Sequence, residues 1–291
     1  MSTLVLGGSG LVGNAILQSG KFEQIITSYN KNSIKISGIK SFQCDLPKDF
    51  NKLNDIFEKY KPQILINVMG YSNIDFCENN KDDAYLLHVK TTEKISELSE
   101  KYNTKIIFLS SDYVFDGNKG NYTENDNPNP INYYGQTKLE AEKIVLRNKK
   151  NIVFRTSIIY DLDYRVRFFN YVFDNLKQKK SIEATNDVFN SVTLVDSVIQ
   201  AIFNAINKDV SGIFHVVDST CTNRLNFAKS VADIFNFDKN LIKEISIDQI
   251  NPIAKRPKNA CMDNSKAKRV LEIKFNTLEE GILKILKKKH E

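Results

Sequence analysis

Apolar positions come in two rhythms along the first half of the chain. Short unbroken runs at residues 3–6, around Ile25-Ile26, at Ile64-Leu65-Ile66, at Ile106-Ile107-Phe108-Leu109 and at Ile152-Val153-Phe154 predict buried β-strands; Ser41 to Cys44 predicts a further one. Between them, three- and four-residue spacing predicts helices over 11–19, 49–60, 82–102 and 137–147. Phe50, Leu53, Ile56 and Phe57 share one face of the second; Ala84, Leu87, Thr91, Ile95 and Leu98 share one face of the third. Apolar strands alternating with amphipathic helices imply an α/β protein with a doubly wound, Rossmann-type parallel sheet. The second half is less regular. Helical spacing at 165–179, 192–207, 224–235 and 277–287 and a β run at 213–217 suggest a smaller C-terminal lobe. The expected division is a dinucleotide-binding domain at 1–155, to which elements near 182–217 return, and a mainly substrate-binding lobe at 156–291.

Length and composition narrow the class. The chain has 291 residues, 41% hydrophobic and 26% charged, which excludes wholesale disorder and coiled coil. The balance of 41 Lys and Arg against 35 Asp and Glu leaves +6, which suits anionic small molecules as well as nucleic acid and decides nothing alone; a small-molecule partner and no nucleic acid are expected. No apolar run reaches the about 20 residues of a membrane span, and no signal peptide is visible, so a cytoplasmic protein is expected. The cysteines (Cys44, Cys77, Cys221, Cys261) are scattered with no CxxC pair, and are expected to be reduced. With His88, His215 and His290 they make no zinc pattern, and no metal is expected. His88 and His215 read as packed or surface residues, and Lys284 to His290 as a solvated helix end.

The candidate chemistry starts at a glycine turn. Gly7, Gly10 and Gly13 give GxxGxxG between the first strand and the first helix, where bare backbone lets a pyrophosphate reach the helix N-terminus. Ser9, Leu11 and Val12 belong to the same turn. After the second strand come Asn30 and Lys31, with no carboxylate across 27–31 to bond a ribose 2′-hydroxyl; Lys31 suits a 2′-phosphate, which favours NADP(H) over NAD(H). Asp45 is a candidate partner for the adenine amino group, with Leu46 beside it. Asn67 is expected to hold the neighbouring backbone, with Val68 and Met69 next to the cofactor.

A second constellation lies downstream. Ser111 ends the strand at 106–109, and Tyr134 and Lys138 are four residues apart, so they share a helix face. The Lys138 ammonium is expected to lower the phenol pKa of Tyr134, making it a proton donor and acceptor for a carbonyl or alcohol; Ser111 would bond the same oxygen. Tyr133, the competing tyrosine, has Thr137 in place of a lysine at that spacing.

These features, with GGSGLVG at 7–13, INVMGYSNIDFCE at 66–78, LSSDYVFDG at 109–117, YTENDNPNPINYYGQTKLEAE at 122–142, RTS at 155–157 and RPKNACMDNSKAKRVLEI at 256–273, resemble the dTDP-4-dehydrorhamnose reductase family of extended short-chain dehydrogenases/reductases over nearly the whole chain. The resemblance implies Ser111, Tyr134 and Lys138 as the catalytic set, with Ser111 where many members have threonine. It implies NADPH as hydride donor to the C4 ketone of a nucleotide-linked 6-deoxyhexulose. Lys138 would also bond the nicotinamide ribose, Asp112 and Tyr113 would line the sugar site, and Arg256 would sit near the nucleotide diphosphate. The chain departs from the family at Ile158-Ile159-Tyr160, where a tryptophan is common, and at Asp187 to Thr193, where DQxGxPT is usual. The alternatives are an epimerase or dehydratase of the same superfamily, and a non-catalytic NADP-binding regulatory subunit like the methionine adenosyltransferase β subunit, which resembles the same family. The 82–102 helix is a candidate homodimer face and equally a helix packed on the sheet.

Overall fold

The computed structural model describes residues 1–163 and 165–290; side chains of Arg167, Lys289 and His290 fall outside that description. Six parallel strands follow in order: β1 (Ser2–Leu6), β2 (Gln24–Tyr29), β3 (Lys40–Gln43), β4 (Ile64–Asn67), β5 (Lys105–Ser111) and β6 (Ile152–Thr156). The strand Gly212–His215 adds to the β6 edge and completes a seven-stranded sheet, with order 212–215, β6, β5, β4, β1, β2, β3. The order reverses between β1 and β4, the switch point at which doubly wound sheets bind ligands beyond the strands' carboxyl ends.

Helices cover both faces. They are α1 (Leu11–Gln18), α2 (Phe50–Tyr60), α3 (Ile74–Asn79), α4 (Lys81–Tyr85), α5 (Thr91–Lys101), α6 (Tyr133–Val145), α7 (Arg167–Lys177), α8 (Val195–Asn207) and α9 (Arg224–Phe235). One layer joins Val5, Ile66, Ile107 and Phe154 to α1 and α8. The opposite layer joins Leu4, Leu65, Ile106 and Val153 to α2, α5 and α6. A second core, built on Phe169, Phe173, Phe227, Val231 and Ile282, belongs to the smaller lobe of α7, α9 and the helix Leu278–His290. Within 182–217, the strand Ile182–Thr185 packs in this second core, whereas α8 and Gly212–His215 pack on the sheet.

Three expectations need correction. The helix predicted at 137–147 begins at Tyr133, because Asn132 caps it: its Oδ1 accepts from the Gly135 N–H at 2.9 Å. The helix predicted across 82–102 holds a π-turn at Leu86–Lys90, where the Thr91 N–H reaches back to the Leu86 carbonyl. Two of the four cysteines are not reduced: Cys221 and Cys261 form a disulfide, while Cys44 and Cys77 are free and buried. The chain brings the pair together by laying Cys221–Thr222 antiparallel to Asn190–Ser191, against which the 259–262 segment also binds. At the C-terminal end, Lys288 pairs with Asp196 at 2.8 Å. Among the described residues no helix is long and apolar enough to cross a membrane.

The disulfide closes a loop with a sequence separation of 40 residues. Restricting the unfolded chain over such a loop is worth roughly 3–4 kcal/mol. We expect Cys261→Ser, or thiol reduction of the exposed Cys221 side of the bridge, to lower unfolding stability by about that amount in denaturant titrations with and without reductant. Identical curves would show that the pair does not bridge in solution.

Candidate active site

A cavity of about 680 Å³ runs from the glycine turn to the carboxyl ends of β4, β5 and β6 and on to α7 and α9. At one end is the start of α1. Gly7 has φ +93°, and a Cβ on Gly13 would collide with the Gly7 carbonyl oxygen, so the turn closes tightly only with glycines. Gly10 caps α1 with no side-chain acceptor and no acid in the first turn. Ser9, Gly10, Leu11, Val12 and Gly13 face the cavity, and the first-turn N–H groups have no helical acceptors of their own. This end therefore fits the pyrophosphate of a dinucleotide.

The other predicted cofactor-side residues divide. Val68 and Met69 line the cavity; Asn67 lies buried behind them, and its Oδ1 accepts from the Met69 N–H at 3.1 Å. Leu46 is buried in the α2-side core and does not line the cavity. Asn30 and Lys31 are exposed past the end of β2, where Asn30 donates to the Asp45 carboxylate at 2.6 Å. The neighbouring Asn32, which sequence reasoning missed, lines the cavity.

At the opposite end Ser111, Tyr134 and Lys138 converge. Ser111 ends β5; its hydroxyl accepts from the Tyr113 N–H and donates to Asp112 at 2.9 Å. Tyr134 lies in the first turn of α6, its ring edge-on to those of His88 and Tyr113 at 5.7 and 5.8 Å. Lys138 is 3% exposed, with its Nζ 2.6 Å from the Leu109 carbonyl and over the Phe108 ring. Tyr133 stays outside; its ring meets the Lys81 ammonium and its N–H meets Glu78.

The expected lowering of the Tyr134 pKa is overturned. Burial raises it, and the Asp112 charge adds to the rise, while the hydrogen bond between Tyr134 and the Ser111 hydroxyl works against both. Burial also pushes the Lys138 ammonium down to about 7. Lys138 is directed at the Leu109 carbonyl rather than at the phenol, so desolvation outweighs charge pairing. Tyr134 is thus held as a neutral phenol, the form that gives a proton.

Asp112 and Tyr113 also line the cavity, but the Asp112 carboxylate is 2% exposed and committed to its own chain. It accepts from Ser111, from Ser157 and, at 2.8 Å, from Asn190. Arg256 does not line the cavity. It pairs with Asp75 at 2.9 Å and donates to the Ala254 carbonyl at 2.6 Å. Two other arginines line it: Arg165, in the 158–165 stretch that the sequence places on the substrate side, and Arg224, which sequence reasoning missed.

His88 is a further missed participant. The Tyr71 N–H donates to its Nε2 at 3.1 Å, so Nδ1 carries the proton and gives it to Thr137 Oγ1 at 2.8 Å; Thr137 in turn donates to the Tyr134 carbonyl. The ring thereby ties the cavity-lining loop at Tyr71 to the turn that carries Tyr134. Burial, with the Lys138 charge, lowers its pKa to about 3. His215 is likewise buried and lowered to about 3.

A doubly wound sheet with a glycine turn at its switch point and a Ser-Tyr-Lys set beyond β5 defines an extended short-chain dehydrogenase/reductase fold. The comparisons with known proteins narrow this. The model of the RmlD substrate binding domain family matches residues 1–290, and the chain belongs to that family. A solved structure described as a hypothetical dTDP-4-dehydrorhamnose reductase from Sulfolobus tokodaii is 33% identical, with a TM-score of 0.85 over 96% of this chain and 99% of that one. A dTDP-4-dehydrorhamnose reductase from Bacillus anthracis, solved in complex with NADP, is 22% identical with a TM-score of 0.86 over 99% and 100%. Methionine adenosyltransferase 2 subunit beta from Bos taurus is 27% identical over 90% of this chain and 80% of that protein.

Both histidines are neutral when folded and have an ordinary value of 6.5, so the unfolded chain binds more protons between about pH 6.5 and 3. Their contribution is complete above 6.5 and declines as pH falls, by up to about 1.4 kcal/mol per pH unit for each histidine. Unfolding free energies from pH 7.5 to 5 should show this slope, and His88→Gln should remove roughly half of the histidine part. Equal slopes in the two proteins would contradict a buried neutral His88.

Proposed function

We propose that the protein is an NADP-dependent oxidoreductase that reduces the C4 ketone of a nucleotide-linked 6-deoxyhexulose, with dTDP-4-dehydro-L-rhamnose as the leading substrate and dTDP-L-rhamnose as its product. The observation that carries this reading is the convergence of Tyr134, Lys138 and Ser111 on the cavity that begins at the glycine turn. Family membership and the two reductase structures support it. Exposed Lys31, with no carboxylate across 27–31, supports NADP(H) over NAD(H).

The first-turn amides of α1 and the Gly7–Gly13 backbone would hold the cofactor's pyrophosphate, Val68 and Met69 would pack beside it, and Lys31 would meet its 2′-phosphate. NADPH supplies a hydride to the ketone carbon. Tyr134 gives its phenolic proton to the oxygen that gains charge as the carbonyl is reduced. Ser111 sits between Asp112 and Tyr134 with one hydroxyl proton. Because Ser157 and Asn190 also satisfy Asp112, Ser111 can turn that proton toward the substrate oxygen. The Tyr134 phenolate regains its proton from water after the reaction, while Lys138 stays on the Leu109 carbonyl.

The similarity to methionine adenosyltransferase 2 subunit beta favours a second reading, a cofactor-binding subunit of a larger enzyme. Turnover separates the two. With dTDP-4-keto-6-deoxy-L-hexulose made in situ, loss of NADPH absorbance should depend on the sugar, and Tyr134→Phe should lower kcat about 10²- to 10⁴-fold with NADPH affinity retained. Lys31→Ala should raise the KM for NADPH about tenfold and leave that for NADH unchanged. NADPH binding without sugar-dependent oxidation would support the subunit reading.

A further inference from the structure

Three arginines stand near the seam between the lobes, and two of them are engaged. Arg165 donates to the Ser9 carbonyl at 3.0 Å and pairs with Asp163. Arg256 is held by Asp75 and the Ala254 carbonyl. Arg224, the first residue of α9, lines the cavity with its guanidinium 4.2 Å over the Phe168 ring. Among the described residues it makes no hydrogen bond and no ion pair, and its Nη1 is buried without a partner. The guanidinium stays charged in such a place, and leaving it unpaired is costly. The acid whose charge reaches it is Asp112, and both Asp112 oxygens are already taken by Ser111, Ser157 and Asn190. The protein thus stacks a cation on an aromatic platform beside the catalytic strand end and provides no acceptor for it.

We infer that Arg224 recognises an oxyanion carried by the substrate. It belongs to the smaller lobe, and its charge acts on Tyr113 and Asp112, at the end of the cavity away from the glycine turn. A planar guanidinium bonds two oxygens of a phosphate or carboxylate side by side. Resting on the oxidoreductase reading above, the oxyanion is the diphosphate bridge of the nucleotide sugar; a sugar carboxylate offers the same chemistry. The role that the resemblance implies for Arg256 therefore passes to Arg224, at a position 32 residues earlier in the chain.

The test is calorimetric titration of the NADP-saturated protein with dTDP, thymidine and free glucuronate, for wild type, Arg224→Ala and Arg224→Lys. Arg224→Ala should weaken dTDP binding about 10- to 100-fold, leave thymidine within a factor of two, and leave NADP affinity intact, which also reports correct folding. Arg224→Lys should recover part of the loss. If glucuronate and not dTDP responds, the oxyanion is a sugar carboxylate and the inference stands for that source. If Arg224→Ala changes neither, it is overturned. The two readings can fail separately. An unchanged KM for the ketosugar in Arg224→Ala would overturn the Arg224 role and leave the reductase. Loss of dTDP affinity in Arg224→Ala, in a protein that oxidises no NADPH, would overturn the reductase and leave the anion site.

Discussion

The site depends on one buried ion pair. Glu142, two turns along α6 from Tyr134 and one turn from Lys138, meets Arg155 of β6 through both carboxylate oxygens, and each side chain is 2% exposed. Ser110 of β5 donates to the same carboxylate at 2.5 Å. The Arg155 guanidinium also stacks on Phe115, just past the Ser111–Asp112 strand end. This pairing sets the depth and rotation of α6 against β5 and β6, and so where Tyr134 and Lys138 emerge. Removing one partner of such a pair strands the other charge in the core, at a cost of about 3–5 kcal/mol. The ion pair is weak as a source of stability against well-packed apolar residues, yet it fixes one register of helix on sheet. Thr156 and Ser157 continue the same device. Thr156 donates to the Ser110 carbonyl, and Ser157 donates to Asp112, so these two residues tie the end of β6 to the end of β5, next to the Arg155–Glu142 pair that ties β6 to α6.

Burial has a chemical consequence beyond position. Lys138 and Tyr134 are both desolvated, and desolvation favours the neutral form of each: lysine goes down to about 7, tyrosine up. A solvated YxxxK pair would do the opposite, with the ammonium drawing the phenol toward phenolate. The contrast lies in the dominant cause, burial here and charge pairing in the solvated case. The neutral His88 imidazole fits the same environment: it makes two directed hydrogen bonds, to the loop and to the helix around Tyr134, without adding a charge.

Features that depend on local pattern were legible in the sequence, and features that depend on distant partners were not. Unbroken apolar runs gave β1, β4, β5 and β6 because those strands are covered on both faces. The glycine turn and the Tyr134–Lys138 spacing were readable because each is a short-range geometric requirement. The true start of α6 was hidden because its signal is a single Asn132 behind a proline-rich loop. The 221–261 disulfide has no local signature, since a separation of 40 residues is bridged only by tertiary strand pairing. Arg224 reads from sequence as one more helix-start cation; what distinguishes it is the lack, among the described residues, of a hydrogen-bond or ion-pair partner, which only the assembled fold can show.

The departures at 187–193 fit the same physical picture. Asn190 donates to Asp112, Thr193 donates to the Ser157 carbonyl, and the Phe189 N–H bonds the Lys258 carbonyl. This stretch therefore does not simply lose a glycine- and proline-bearing turn. It stitches the smaller lobe to the β5 and β6 ends, directly behind Ser111. Asn190 bonds the Asp112 oxygen that Ser111 does not use, so the carboxylate is held from both sides. By extending from β6 through Ser157, the same network carries the ion-paired rigidity of Arg155 across the lobe boundary. Phe168 and Arg224 line the same cavity from the smaller lobe, while Ser111, Tyr134 and Lys138 are held by the sheet and α6.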